Sequence, residues 1–430
     1  MPNSRPQSRI ARVIGAVNVG SFRIAAMIAG VTESGELLVL GSGHRAAQGV
    51  KRGYVIDMRS ATYAIRDAIE RAEKMANTSV SGVWVGTAGA GLASQIAQVE
   101  LPIGGRRVEP EDIRHLLLAA RDVIQPEGRG VLQAQPAHYT LDGAHGVADP
   151  QGLHAQSLGV DIHVLMADAA PLRNLTESVQ NAHLQVEEVV GSPVAAGIAC
   201  LSEEERELGV ALVEFGAEVT SVSLFAGGML VGLACLPSGS GDITDAIASS
   251  FGIRRFQAER LKCVNGSAIA TPADHREMIP IAAPGDEAPP PASLHADERG
   301  RISRADLIAV ITSRLGLLME EINKALKAMG YTGVRGAQVV FTGGGAELAG
   351  LAEFAQGALG RPVRIGRPVP VKGLPEAHTT PGYSALVGLV LQAAAQPLDI
   401  RRLAPPRAVA GERGLQGQAR RILRALRDYF

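Results

Sequence analysis

Residues 13–30 read VIGAVNVGSFRIAAMIAG and residues 210–227 read VALVEFGAEVTSVSLFAG. In each, an apolar run meets a polar or acidic residue, Asn18 or Glu214. A glycine follows two positions later, Gly20 or Gly216, and then a turn and a second apolar run. Alternating apolar runs broken by glycine predict a strand, a tight turn and a second strand. Its recurrence predicts a chain built from two similar halves. Two such turns facing each other would offer backbone N–H groups from both halves to one anion, as phosphates are cradled between domains. Strand–glycine–strand hairpins are abundant, so the repeat alone does not fix a function.

Outside these segments strands and helices alternate in the α/β manner. Helices are predicted over 59–76, 109–123 with Pro110 at its start, and 303–329; a strand is predicted over 83–86. Residues 339–350, VVFTGGGAELAG, form a third glycine feature, an apolar strand running into Gly343, Gly344 and Gly345 and then a helix. Glycines at such a junction let a planar ring or a phosphate approach the backbone, and the helix start adds a favourable dipole. A plain strand-to-helix turn is the alternative. Neither GxxxxGK[ST] nor GxGxxG between strand and helix occurs, so a P-loop or Rossmann site is not indicated.

With 430 residues, 46% hydrophobic side chains and 20% charged ones, the chain can bury a substantial core in two or more domains. Forty-two basic residues against 43 acidic ones argue against a broad nucleic-acid-binding face. Cys200, Cys235 and Cys263 lack metal-ligand spacing and read as core residues of a protein in a reducing compartment. His138, His145, His154 and His163 likewise show no ligand spacing, and Trp84 reads as core of a small subdomain spanning 82–166. Residues 282–292, AAPGDEAPPPA, read as a proline-rich loop.

The end of the chain has a different character. From Gln418 onward, Ile422, Leu423, Leu426, Tyr429 and Phe430 project into an arc of roughly 120° at helical period, opposite Arg420, Arg421, Arg424, Arg427 and Asp428. Bulky apolar residues faced by arginines suit the boundary between anionic headgroups and acyl chains. Residues 396–417, interrupted by Pro397, Pro405, Pro406, Gly411, Gly414 and Gly417, read as a flexible linker, which favours membrane binding over a helix docked on its own domain. No secretory signal and no run of about 18 apolar residues occurs, so contact with a membrane is expected from the cytoplasmic side.

The three glycine turns, in this order, resemble the phosphate-1, phosphate-2 and adenosine motifs of the actin/Hsp70/sugar-kinase superfamily. Segments 49–58 (GVKRGYVIDM), 192–210 (SPVAAGIACLSEEERELGV), 238–252 (SGSGDITDAIASSFG), 258–268 (AERLKCVNGSA) and 360–368 (GRPVRIGRP) narrow the resemblance to the bacterial cell-division FtsA family. The resemblance implies an α/β, actin-like (ribonuclease H-like) duplicated fold with an FtsA-type inserted subdomain and a C-terminal amphipathic helix. It implies a tail at 1–10 and a first half at 11–81, 166–207 and 376–395, with the insert at 82–165. The second half would take 208–240 and 336–375, its outer subdomain 241–335, the linker 396–417 and the membrane helix 418–430. It further implies ATP or ADP with Mg²⁺ in the cleft, filaments of the chain with itself, and attachment to an anionic phospholipid membrane. The setting would be the cytoplasmic face of the inner membrane at the division septum, alongside later division proteins. Nucleotide contacts carried over are Asn18, Gly20, Ser21, Glu214, Gly216, Ala217, Gly239, Gly241, the ribose-side pair Glu259 and Lys262, and Gly343, Gly344 and Gly345. The C-terminal tail of FtsZ would dock on the outer subdomain at Arg314, where a guanidinium suits an acidic peptide; a solvated helix face is the alternative reading of Arg314.

The chain departs from the pattern where phosphate chemistry is done. Asn18 stands where an acidic residue usually positions Mg²⁺. Glu218 places a carboxylate in the second turn, adding like-charge repulsion beside phosphate. Ser192 falls at the position of the catalytic Glu or Gln, and a serine is a poor general base. The departures predict a scaffold with weak or absent hydrolysis. The alternatives are an active chaperone- or kinase-like ATPase of the same superfamily and an FtsA-like adaptor for pilus assembly.

Overall fold

The computed structural model describes residues 9–89, 91–281, 300–332 and 337–403. The expected terminal helix, the linker from residue 404 onward and the proline-rich loop 282–292 lie outside the described residues.

In chain order, the first half opens with β1 (Ile10–Val19), β2 (Arg23–Thr32) and β3 (Leu37–Ala46), then a two-stranded hairpin, β4 (Val50–Lys51) and β5 (Tyr54–Val55). Helix α1 (Met58–Ala76) and β6 (Gly82–Thr87) follow. The insert is β7 (Ala93–Pro102), α2 (Pro110–Val123), β8 (Arg129–Leu141), β9 (Ala144–Val147) and β10 (Ser157–Asp168). The chain returns through α3 (Ala169–Asn181), β11 (Gln185–Gly191), α4 (Ser192–Cys200) and α5 (Glu203–Leu208). The second half contains β12 (Val210–Phe215), β13 (Thr220–Ala226) and β14 (Met229–Leu236), then α6 (Ser240–Phe251) and α7 (Arg255–Asn265). A small hairpin, β15 (Met278–Pro280) with β16 (Arg301–Ser303), leads into the long α8 (Arg304–Ala328). Then come β17 (Val339–Thr342), α9 (Leu351–Leu359), β18 (Val363–Ile365) and α10 (Ser384–Ala395).

Two five-stranded sheets have the same plan. The first runs β11-β6-β1-β2-β3 and the second β18-β17-β12-β13-β14. In each, a three-strand antiparallel meander is extended by two parallel strands that arrive after a long excursion. The matched topology bears out the duplication read from the two glycine turns. The inner parallel strands β6 and β17 are buried almost throughout, as strands covered on both faces must be, while the edge strands β11 and β18 are more exposed. Among the described residues three apolar cores result: one on the first sheet with α4 and α10 that reaches Leu212, Phe225 and Val340 of the second sheet, one in the second half with α8, and one in the insert. Helix α1 is capped by Asp57, whose side chain accepts from the N–H groups of Arg59 and Ser60, and ends at Asn77 with φ 50°. Its buried face is mostly alanine, so the backbone of Gly43 on β3 sits against Ala68 with no room for a Cβ.

Two expectations need correction. The strand Gly82–Thr87, placed in the insert by the sequence reading, lies in the first sheet between β11 and β1, and Trp84 joins the first core while its Nε1 donates to Glu187 (2.9 Å). The insert's own sheet is β7-β10-β8-β9. A parallel strand has its partners far away in sequence, so nothing local to residues 82–87 reveals which sheet it joins.

The second correction concerns 396–417. Its first residues are docked: Ile400 is fully buried in the insert's core, and Asp399 accepts from the N–H of Ala134 (3.2 Å). Arg401 joins Asp399 to Glu188 on β11 and to the carbonyl of Val131 on β8. Among the described residues no helix is long and apolar enough to cross a membrane.

Candidate functional site

The two glycine turns match in detail. Val19 pairs with Ile24 and Phe215 with Thr220, leaving four residues in each turn. In the first, the N–H of Gly20 donates to the carbonyl of Arg23 (3.2 Å); in the second, the N–H of Gly216 donates to that of Val219 (3.0 Å). A Cβ at either glycine would approach the same carbonyl within 2.9 and 2.6 Å respectively, so both turns exclude a side chain there. Both turns line one cavity of about 500 Å³ between the halves. The third glycine run forms another wall. Gly343 has φ 86°, and its N–H donates to Pro381 (3.1 Å), while the ring of Phe215 packs where a Cβ on Gly345 would stand.

The cavity brings together most of the residues expected from the sequence. Asn18, Gly20, Ser21, Ser192, Glu214, Gly216, Ala217, Glu259, Lys262 and Gly343 to Gly345 all line it. Gly239 and Gly241 do not; they support the second turn from behind, Gly241 donating to the carbonyl of Ala217 (2.7 Å). Arg314 sits half-buried on α8 outside the cavity. Arg420, Arg421, Ile422, Leu423, Arg424, Leu426, Arg427, Tyr429 and Phe430 lie outside the described residues.

Polar groups in the cavity fall into two sets. On the α6–α7 side, Lys262 Nζ pairs with Glu259 (2.8 Å) and donates to Thr244 Oγ1 (2.8 Å) and the carbonyl of Ser240 (3.0 Å). Burial alone would push the Glu259 carboxyl up, but Lys262 and Thr244 together hold it below its ordinary range, so a charged pair is fixed at this wall. Between the turns, Ser192 Oγ donates to Glu214 Oε1 (2.8 Å). Glu214 Oε2 and Asn18 Oδ1 are buried without a hydrogen-bond partner. Burial pushes the Glu214 carboxyl up to about 7, and the bond from Ser192 only partly offsets this.

These features fit a phosphorylated ligand. Glycine walls admit it closely, backbone N–H groups of both turns can face it, and the unsatisfied acceptors of Asn18 and Glu214 suit a hydrated cation or ordered water beside it. When bound, Mg²⁺ would supply charge neutralisation for phosphates at Asn18 and Glu214. Ser192 is committed to Glu214 and offers no carboxylate for proton abstraction.

Several cavity residues escaped the sequence reading. Arg23 lines the cavity, its guanidinium 4.1 Å above the ring of Tyr383 and donating to the carbonyl of Gly382 (3.3 Å). Its signal was available, a cation closing the first turn. Arg304 also lines the cavity, held by Asp274 (2.7 Å) and the carbonyl of Asn265 (3.0 Å). The β4–β5 hairpin lies in the segment 49–58 quoted for the resemblance, but its place at the site was not foreseen; its tip residues Arg52 (φ 50°) and Gly53 (φ 75°) touch both turns. The N–H of Arg52 donates to Glu218 Oε2 (2.6 Å) and that of Gly53 to Ser21 Oγ (3.0 Å).

Comparisons with known proteins converge. Residues 211–388 match the family model described as cell division protein FtsA, and residues 89–166 that of the SHS2 domain inserted in FtsA, which begins just after β6. The cell division protein FtsA of Agrobacterium fabrum is 34% identical over 411 residues, spanning 93% of this chain and 91% of that protein. The PilM–PilN type IV pilus biogenesis complex aligns with a TM-score of 0.60 at 16% identity, over 89% of this chain and 98% of that one. MreB5 of Spiroplasma citri, solved with ADP, aligns with a TM-score of 0.50 at 12% identity, over 90% and 97%. At these identities the solved structures speak for the fold alone: an actin-like α/β architecture with an inserted subdomain.

Proposed function

The chain belongs to the FtsA cell-division family, and on that premise we propose that it is a nucleotide-binding division scaffold that hydrolyses ATP weakly or not at all. It binds ATP or ADP, with Mg²⁺ carried by the nucleotide, between the two halves. It assembles with copies of itself on the cytoplasmic face of the inner membrane and holds the tail of FtsZ filaments at the septum, where later division proteins join. The observation carrying this reading is that matched glycine turns from two duplicated halves, with Gly343 to Gly345, wall one cavity. The weak-hydrolysis part rests on Ser192, whose hydroxyl is bonded to Glu214 at the place where an ATPase needs a base.

Arg314 on α8 is the proposed contact for the acidic FtsZ tail, and residues 418–430 are the proposed membrane helix. One short amphipathic helix binds lipid weakly, but a row of linked protomers multiplies its hold, so assembly and attachment reinforce each other. The test is co-sedimentation with vesicles of anionic phospholipid. The full chain should sediment, and a chain lacking residues 416–430 should stay in solution with an unchanged melting curve. Replacing Leu423 and Leu426 together by Glu should reproduce the deletion, because it puts charge in the apolar stripe. Undiminished sedimentation of the truncated chain would remove the tether.

A further inference from the structure

The far end of the cavity is built differently from its glycine walls. The tip of the β4–β5 hairpin presents two successive N–H groups, and both are already engaged by the phosphate turns: Gly53 donates to Ser21 of the first turn and Arg52 to the carboxylate of Glu218 in the second. The two N–H groups take separate acceptors, the Glu218 carboxylate on Arg52 and the Ser21 hydroxyl on Gly53, so one hairpin bridges the turns of both halves.

Taking the cleft as a nucleotide site, as proposed above, we infer that Glu218 stands in for the terminal phosphate of a nucleoside triphosphate, so that the site selects the diphosphate. A third phosphate reaching the hairpin would have to displace Glu218 from the Arg52 N–H and then lie beside its charge. Most cations near that charge are already committed, and the guanidinium of Arg52 at the tip is exposed, where solvent screens it. Lys262 is paired with Glu259, Arg304 with Asp274 and Arg255 with Asp245. Among the described residues that line the cavity, Arg23 makes no ion pair with a carboxylate, but it is laid on Tyr383. Asn18 brings no charge with which to draw a divalent cation toward a triphosphate. A diphosphate set against the glycine turns leaves the contact between Glu218 and Arg52 intact.

The experiment is calorimetry on the full chain with ADP and with the non-hydrolysable analogue AMPPNP, each in Mg²⁺, for the wild type, Glu218→Gln and Glu218→Ala. The wild type should bind ADP at least tenfold more tightly than AMPPNP. Both variants should narrow that gap tenfold by tightening AMPPNP, with ADP affinity changed less than threefold. The Gln variant keeps an acceptor for Arg52 and removes only the charge, so it stays informative should the Ala variant loosen the turn. Equal wild-type affinity for the two nucleotides, or a gap that neither variant narrows, overturns the role of Glu218 and leaves the nucleotide site standing. Absence of binding by either nucleotide to a folded wild type overturns both.

Discussion

Glu214 shows how a single burial sets a pH dependence. Its carboxyl is raised from 4.5 to about 7, above all by burial. A raised carboxyl pKa means that the folded chain keeps a proton the unfolded chain has released. The stability this group lends is therefore full below about pH 4.5 and lost as pH rises through about 7. Between pH values of about 5 and 8 the wild type should lose up to roughly 3 kcal/mol that Glu214→Gln retains, since the amide never ionises. Urea unfolding of both proteins across that range checks this, and equal pH slopes would contradict it. At the residue scale the sequence was most legible where spacing is rigid. Gly20 and Gly216 could be picked out because the turn geometry forbids a Cβ at both. The protonation of Glu214 and the contact between Glu218 and Arg52 depend on partners brought in from distant segments, and neither leaves a local trace.

Elements read well from sequence when their signals are local. Helix α1 announces itself by Asp57 at its cap and a period of small residues, and α2 by Pro110 in its first turn. The segment after α10 was misread because Pro397, Pro405 and Pro406 carry a linker's composition. What pins its start is a set of long-range contacts: Ile400 in the insert's core and Arg401 bridging Asp399, Glu188 and Val131. This segment ties the insert to the first sheet just before residue 404. Arg401→Ala should cost about 1–3 kcal/mol, because it leaves Asp399 short of its main partner in a nearly buried position. It should also open residues 396–403 to limited proteolysis in the folded protein. An unchanged melting point together with an unchanged cleavage pattern would show that the segment is not held by this residue.

The molecule as a whole is two copies of one sheet plan, with one cavity between them, a subdomain grafted into the first copy and a terminal segment passing over the graft. Duplication explains why the fold was readable at this scale. A repeated turn imposes the same residue types twice, and the second occurrence verifies the first. The insert's boundary was not readable, because β6 precedes the graft in sequence while belonging to the parent sheet. The family, its actin-like fold and the shared cavity support the proposal that the turns of both halves act as one nucleotide site. Hydrogen exchange of the full chain, titrated with ADP, tests it most directly. Residues 20–23, 216–219 and 343–345 should gain protection together along a single saturation curve; protection confined to one half, or none at saturating ADP, would show that the two turns do not form one site.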